Sequence, residues 1–450
     1  MPTRRAKKNA AFHVEQQAEV VRLLQTLPRQ SSVDFEAWEQ ALCEAVLAAG
    51  ARLLEKLLVP LGCGRPPSPV LNSYGQPMRS IGQRQKTLQT LLGAVRWRRS
   101  VFVDSLGQQT RCPGDELLGV VGTGFSPGLR RHMTRAGSAT AFAEAAEDLR
   151  IYAHVQVDPK DIQRVAESTG RQIEDWMNQQ AQVALRPLPP AVASAKTIPV
   201  LYVSFDGTGV PIRRVELRGR RGKQSDGTAR TREVKLGCVF TQTRTDDDGY
   251  AVRDPDSTTY VGAIESAEMF GWRIHAEAVR RGLEQAQIVI GLTDGAAYNK
   301  TIVQTHFPQA IHVIDLYHAR EHLYRLDELL AASPPQQARW LSLLDRGRVE
   351  QLIAQAQTQL RGKPKILRPA VETELHYFEQ NKSAMRYEFF RKQGWFVGSG
   401  VIEAGCRTLI GQRLKRSGMF WSVRGANAII ASRCCQSSRR FEDFWAENAA

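Results

Sequence analysis

Two stretches of this 450-residue chain run from apolar sequence straight into an Asp-Gly pair: "VLYVSFDGTG" at 200–209, and "QIVIGLTDG", which closes on Asp294 and Gly295. Short apolar runs rich in Val and Ile and bounded by turn residues read as buried strands. One strand that ends on Asp-Gly is ordinary turn chemistry. Two of them raise a different prospect, because ligands of open α/β sheets bind at the carboxyl ends of the strands. Asp206 and Asp294 are therefore a candidate pair of carboxylates brought together at one sheet edge.

The neighbouring sequence supplies the rest of a sheet. "PIRRVELRG" and "REVKLGCVFTQTR" read as further strands joined by the basic loop "RGRRGKQSDGTART". A helix at "SAEMFGWRIHAEAVRRGLEQ", the strand ending at Asp294, a helix at "YNKTIVQTHF" and a strand at "AIHVIDLYHA" follow. Three strands and then alternating helix and strand predict a mixed α/β sheet. Residues 319–395 are helix-forming with no convincing strand, and "GSGVIEAGCRTLIGQRLKRSG" reads as a glycine turn that opens a helix. A sheet domain interrupted by an all-α insertion is the expectation.

The front of the chain has a different character. Residues 14–60 read as two helices broken at Pro28, and 79–103 as strands made basic by Arg79, Arg84, Lys86, Arg96, Arg98 and Arg99. Residues 138–183 are helical again, with Asp158-Pro159 as a helix start. Their order suits a helix-turn-helix, and equally an ordinary helical hairpin. The expected divisions are a helical region at 1–70, a small basic β region at 71–125, a helical region at 126–186 and a proline-rich linker at 187–198. The sheet domain takes 199–318, the insertion 319–395, the last part of the sheet domain 396–440 and a tail 441–450.

Lys and Arg number 61 against 46 Asp and Glu, a formal charge of +15. An excess of this size favours a polyanionic partner, since neutralised phosphates release counterions. The seven cysteines include no CxxC pair, which suggests reduced thiols. No stretch approaches the roughly 18 apolar residues of a membrane span, and the basic start lacks the apolar core of a secretory signal. A bacterial cytoplasmic, nucleoid-associated protein with no membrane partner is expected.

A third acid would turn the Asp pair into a site for hard divalent cations, which need several oxygen ligands. Glu403 in "GSGVIEAGCR" is the candidate, set among apolar Val401, Ile402 and Ala404; it also stands four residues from Arg407, the spacing of a surface ion pair. Behind it comes a basic, aromatic-bearing segment with Arg407, Arg413, Lys415, Arg416, Trp421 and Arg424, a composition suited to a phosphate backbone. "VIDLYHAREHL" adds Asp315 and His318 where a strand enters a helix. Asp315 reads either as a helix cap or as an auxiliary active-site group. His318 and His322 share a helical face but have no third nitrogen or sulfur ligand near them in sequence.

"VSFDGTGVP", "GLTDGAAYN", "HVIDLYHAREHL", "VGSGVIEAGCR" and "MFWSVRGANAII", in this order, resemble insertion-sequence transposases of the ISKra group and, more distantly, Mutator-like transposases. The resemblance covers roughly 199–440. It implies an RNase H-like fold and an Asp-Asp-Glu catalytic triad, carried here by Asp206, Asp294 and Glu403, which would hold Mg²⁺ or Mn²⁺. It also implies the Asp-x-x-His element at Asp315 and His318. Double-stranded DNA, as element ends and as target, would be the partner, with a homodimer or higher oligomer on the DNA. Relatives often carry a zinc-ribbon cysteine pair near a "P-x-D-x-x-L" segment; here Cys112 stands alone in "RCPGDELL", so no zinc is expected. The expected function is metal-dependent strand cleavage and strand transfer. A catalytically inactive, transposase-derived DNA-binding protein and an RNase H-like nuclease without strand transfer are the alternatives.

Overall fold

The structure is a computed structural model that describes residues 34–62, 68–186, 197–220, 222 and 227–448. It divides into two compact units, one comprising the chain as far as Ala166 together with the C-terminal residues from Trp445, the other Glu167–Phe444. The helix read ahead of Pro28 and all of the 187–198 linker but its last two residues lie outside the described residues.

In the first unit the Phe35–Gly62 helix lies on a three-stranded antiparallel sheet of β1 (Arg79–Thr90), β2 (Gly93–Val103) and β3 (Thr110–Arg111). Alternation along β2 turns Val95, Trp97, Val101 and Val103 inward, and Val95 and Trp97 share a core with Ala51 and Leu58 of the helix. The basic side chains at 79–103 differ in their setting. Lys86 and Arg99 both pair with buried Asp115, at 2.9 and 2.8 Å, whereas Arg79, Arg84, Arg96 and Arg98 are exposed.

The helices Pro127–Ala139, Phe142–Ala153 and the start of Pro159–Ala184 share a second core of Leu129, Met133, Ala145, Leu149 and Ile162. The first of these lies at the start of the helical region expected at 126–186, ahead of the helix-forming run read from 138. Gly128 and Gly137 weaken its local propensity, yet Gly137 is required: a Cβ there would fall 2.8 Å from Ile162 Cγ2. Ser126 caps this helix by accepting from the Leu129 N–H at 3.2 Å, with Pro127 next in line.

The second unit is built on a five-stranded sheet. Its strands are β4 (Ile198–Pro211), β5 (Thr231–Gln242), β8 (Thr259–Ala263), β9 (Ala286–Thr293) and β10 (Ile311–Ile314). A small ribbon of β6 (Arg244–Thr245) and β7 (Ala251–Val252) follows β5. The sheet order is β10-β9-β4-β5-β8, with β4, β5 and β8 antiparallel and β4, β9 and β10 parallel. In chain order that is three-two-one-four-five, the RNase H-like mixed sheet. "PIRRVELRG" is not a separate strand: β4 ends at Pro211, and Arg214–Leu217 is a 3₁₀ turn.

Central strands of such a sheet are covered on both faces, which explains the unbroken apolar run of β4. On one face Leu201, Val203 and Phe205 pack with Phe270 and Ile274 of the Ala267–Arg280 helix and with Ile302 and Val303 of Ala297–His306. On the other, Tyr202 and Phe240 stack at 4.7 Å and meet Phe396 edge-on.

After β10 the chain is helical: Leu316–Leu330, Pro334–Asp345, Val349–Leu360, Arg368–Asn381 and Tyr387–Lys392 form the all-α insertion around buried Leu323, Leu326, Trp340, Leu352 and Phe378. The chain then returns to the sheet through the Gly400–Gly405 helix, a π-helical segment at Cys406–Gly411, and the Val423–Ser437 helix. Gly405 allows that return, because a Cβ would lie 2.8 Å from the Tyr260 ring.

Candidate active site

The parallel ladder between β4 and β9 pairs Ser204 with Leu292 as its last rung, and the Ser204 Oγ–H donates to the Leu292 carbonyl at 2.7 Å. Two residues further along each strand stand Asp206 and Asp294, in matched positions on neighbouring strands. Side chains alternate faces with a period of two, so the register that sets Ser204 beside Leu292 sets the two acids beside each other. Both are half-buried.

Asp294 is held from three sides. Its Oδ1 accepts from the Ala296 N–H at 2.9 Å and from Asn299 Nδ2 at 2.6 Å, and its carbonyl accepts from the Tyr377 hydroxyl at 3.2 Å. Gly295 follows with φ +87, a backbone conformation suited to glycine, and a Cβ there would crowd the Tyr377 ring at 3.0 Å. Asp206 accepts from the Gly207 N–H at 2.6 Å.

Glu403 lies one turn into the Gly400–Gly405 helix with its side chain exposed. The Ser399 hydroxyl donates to Glu403 Oε1 at 2.7 Å. Ser399 is itself fixed by Asp315, whose Oδ2 accepts the Ser399 N–H and whose Oδ1 accepts the His318 N–H at 2.6 Å. Asp315 is 1% exposed, and each carboxylate oxygen holds a backbone donor. It caps the Leu316–Leu330 helix and positions Glu403 through Ser399. Losing that hydrogen bond frees the Glu403 carboxylate, so Ser399→Ala is expected to slow any reaction at this site roughly tenfold, the scale of a hydrogen bond to a charged group, with the melting temperature little changed. Initial rates beside thermal melts test it; an unaltered rate would remove Ser399 from the machinery.

The electrostatics tie the three acids together. Burial raises the Asp206 carboxyl above its ordinary value; the Gly207 N–H opposes this, the Asp294 charge adds to it, the Cys406 thiol donates and opposes, and the Glu403 charge adds again. Asp294 and Glu403 thus both lie within electrostatic reach of Asp206. Like charges gathered at a sheet edge are unfavourable until a cation or a proton relieves them.

Further groups crowd the same edge. A Cβ on Gly207 would fall 2.5 Å from Glu233 Oε1 and 2.8 Å from the Tyr298 hydroxyl. Burial, then the charges of Glu233, Asp294 and Asp206, push the Tyr298 hydroxyl up. Glu233 pairs with Lys235 at 2.7 Å, and Lys235 reaches over the Tyr298 ring. The sequence reading missed Glu233, Lys235 and Tyr298. Their signal was the Glu-x-Lys that opens the strand in "REVKLGCVF", two same-face charges at the mouth of an apolar run.

His318 sits beside this site with a half-buried ring, 5.0 Å from the ring of His322 and 6.3 Å from that of Tyr377. His322 stacks on Tyr377 at 3.6 Å, and its Nδ1 bonds Glu374 Oε2 at 2.5 Å. The two histidines therefore buttress Tyr377, which in turn holds the Asp294 carbonyl.

The basic segment needs correction at two positions. Arg413 is wholly buried, its guanidinium 4.9 Å over the Trp421 ring, and Trp421 is 5% exposed with its Nε1–H donating to the Leu414 carbonyl at 3.1 Å. In this structure neither faces solvent as a DNA contact would. The π-helical segment just before Arg413 adds a residue to the turn and shifts the helical phase, so the side facing inward does not follow from the 3.6-residue spacing. Arg407 and Arg424 are exposed, and Arg416 is half-buried. Exposed Lys415 bonds the Thr208 hydroxyl, which places a cation two residues beyond Asp206.

Asp206, Asp294 and Glu403 offer oxygen donors only, the chemistry that Mg²⁺ and Mn²⁺ prefer. Among the described residues, no three or more His, Cys, Asp or Glu side chains are gathered closely enough to hold a metal ion. The acids influence one another electrostatically without forming a closed ligand shell. No described helix is long and apolar enough to cross a membrane. Six cysteines are free among the described residues, with Cys238, Cys406, Cys434 and Cys435 buried.

No family model matches the chain, and no curated protein matches it. Among solved structures, a similarity is found to the Drosophila P element transposase strand transfer complex, at 11% identity and a TM-score of 0.22, over 70% of this chain and 80% of that one.

Proposed function

We propose that this chain is a DNA transposase of the Asp-Asp-Glu type, which cleaves DNA strands and transfers them. The observation that carries the reading is the matched placement of Asp206 and Asp294 at the ends of adjacent parallel strands of an RNase H-like sheet, with Glu403 in electrostatic reach. Asp206 and Asp294 would hold divalent cations between them, and Glu403, aimed by Ser399, would complete the shell. Two such ions supply positive charge to the attacking and the leaving oxygens of a phosphodiester.

The chain's own groups then have definite tasks. Lys415 at Thr208 offers a cation to the phosphate next to the scissile one. Cation charge would favour the ionised form of Asp206 and oppose the burial that raises its carboxyl. Water attacks first and frees a 3′-hydroxyl; that hydroxyl attacks second and joins the strand to a target. The partner is double-stranded DNA, bound by a dimer or higher oligomer.

Binding without catalysis is the competing reading, and the open arrangement of the three acids favours it. Plasmid DNA incubated with the full chain separates the two. Nicks and joined products are expected with Mg²⁺ or Mn²⁺, and both should vanish with EDTA and in Glu403→Gln, while DNA binding persists. Nicking without joined product leaves an RNase H-like nuclease. Wild-type nicking by Glu403→Gln would remove Glu403 from the site.

A further inference from the structure

At the far end of β4 from Ile198 the chain enters a groove of about 620 Å³. Arg214, Arg218, Arg220 and Arg230 line it, all four exposed. No guanidinium among them has an ion-pair or hydrogen-bond partner among the described residues. Glu216, on the turn between Arg214 and Arg218, is committed elsewhere, since its Oε2 accepts the Val423 N–H at 2.8 Å. Beside them, burial and then the charge of Arg220 hold the Arg232 guanidinium below its ordinary range, with Glu216 opposing. Four cations that face shared space with no counter-charge among the described residues offer an anion site.

The fifth feature is aromatic. Phe420 lines the same groove with 62% of its surface exposed. It is not a loose loop residue: the Arg213 N–H donates to the Trp421 carbonyl at 2.9 Å, and the Trp421 N–H to the Pro211 carbonyl at 3.1 Å. A rigidly placed, exposed ring beside arginines is the pairing that binds unpaired nucleic acid, phosphates on the cations and a base on the ring. Duplex DNA keeps its bases stacked inside, so a base reaches such a ring only where the stack is opened. β4 carries the chain from Asp206 to Ile212, about 20 Å along the strand, so a strand held at the acids would reach the groove within a few nucleotides.

We propose that this groove binds an unpaired DNA strand, with phosphates on Arg214, Arg218, Arg220 and Arg230 and one base stacked on Phe420. It rests on the strand-cutting reading, because cleavage is what produces such a strand next to the acids. The groove would hold the released strand and leave the 3′-hydroxyl to the acids.

The test is binding of a single strand of about 16 nucleotides, with several 2-aminopurines in it, to the full chain in EDTA over a range of salt. Arg218→Gln with Arg220→Gln is expected to lower the slope of log K against log salt by about 1.4, two single-strand phosphate contacts. Phe420→Ala should weaken binding about 5- to 100-fold and remove the fluorescence change, with the slope kept; Phe420→Leu guards against a local folding defect. Wild-type slope and fluorescence in variants of unchanged melting temperature would overturn the proposal. Equal binding of a duplex of the same length, equally sensitive to the variants, would overturn the unpaired-strand assignment. Nicking by Asp206→Asn reports on the catalytic reading separately: if it persists, that reading fails while the binding data still judge the groove.

Discussion

Asp206→Asn is expected to lower DNA strand cleavage by about 10³-fold or more, the scale of losing preorganised charge at a transition state, without loss of stability. The side chains are nearly the same size, and the asparagine oxygen still accepts the Gly207 N–H. What changes is the charge. Burial and the neighbouring acids raise the Asp206 carboxyl in the folded protein, so the folded state binds this proton more tightly than the unfolded chain does. Stability from this group is therefore lost as pH rises from about 4, the unfolded value, through the raised folded value, and stays lost above it. Asparagine has no such dependence. At neutral pH the variant should melt at or above the wild-type temperature, and melts from about pH 4 upward should lack the wild-type decline from this group. Nicking assays beside those melts check both halves. Wild-type cleavage by the variant would end the catalytic assignment of Asp206.

A large effect on stability is expected at Gly170. Here the Pro159–Ala184 helix meets the Val423–Ser437 helix backbone to backbone: a Cβ on Gly170 would lie 2.2 Å from the Ala428 carbonyl oxygen and 2.6 Å from its carbon. No flexible side chain can swing aside, so one methyl group must move a helix. Gly170→Ala should cost about 3 kcal/mol or more, the upper range for overpacking. Gly400→Ala is the control, since a Cβ there meets nothing within 4 Å, and its effect should stay under about 1 kcal/mol. Urea denaturation of both variants measures the contrast; equal midpoints would mean the helices slide apart freely at Gly170.

The sheet was legible because its central strands are covered on both faces and carry unbroken apolar runs. Asp206 and Asp294 were legible as interruptions of those runs. The hairpin was harder: "PIRRVELRG" alternates like a strand, yet the turn at Arg214–Leu217 is fixed by Trp421 far along the chain. Local pattern cannot report such a partner. The same limit hid the roles of Arg413, whose facing follows a π-helical phase shift that no spacing rule anticipates, and of Trp421, which is held by the backbone at Pro211 and Arg213. Asp315 was readable as a cap; its second task, holding Ser399 and through it Glu403, needed the fold. Arg218, Arg220 and Arg230 of the groove were visible only as a basic loop and Arg214 only as part of an expected strand, because nothing in their order says that they converge.

The pinning at Asp315 has a consequence for how chains of this kind can vary. The insertion leaves the sheet at Leu316, whose N–H donates to the Val397 carbonyl at 2.9 Å, and it returns at Ser399 on the Asp315 carboxylate. Entry and exit are thus closed by hydrogen bonds at the two ends of the insertion, the entry bond made by the first residue of its first helix. Closing a longer excursion costs little, about 0.6 kcal/mol for each doubling of a flexible loop. The insertion behaves as a cassette with a fixed clasp, and the Tyr377 hydroxyl on the Asp294 carbonyl ties it back to the acids. Residues can be added or removed within it without respacing Asp294 and Glu403, so the sequence interval between those acids measures the size of the cassette and not the width of the site.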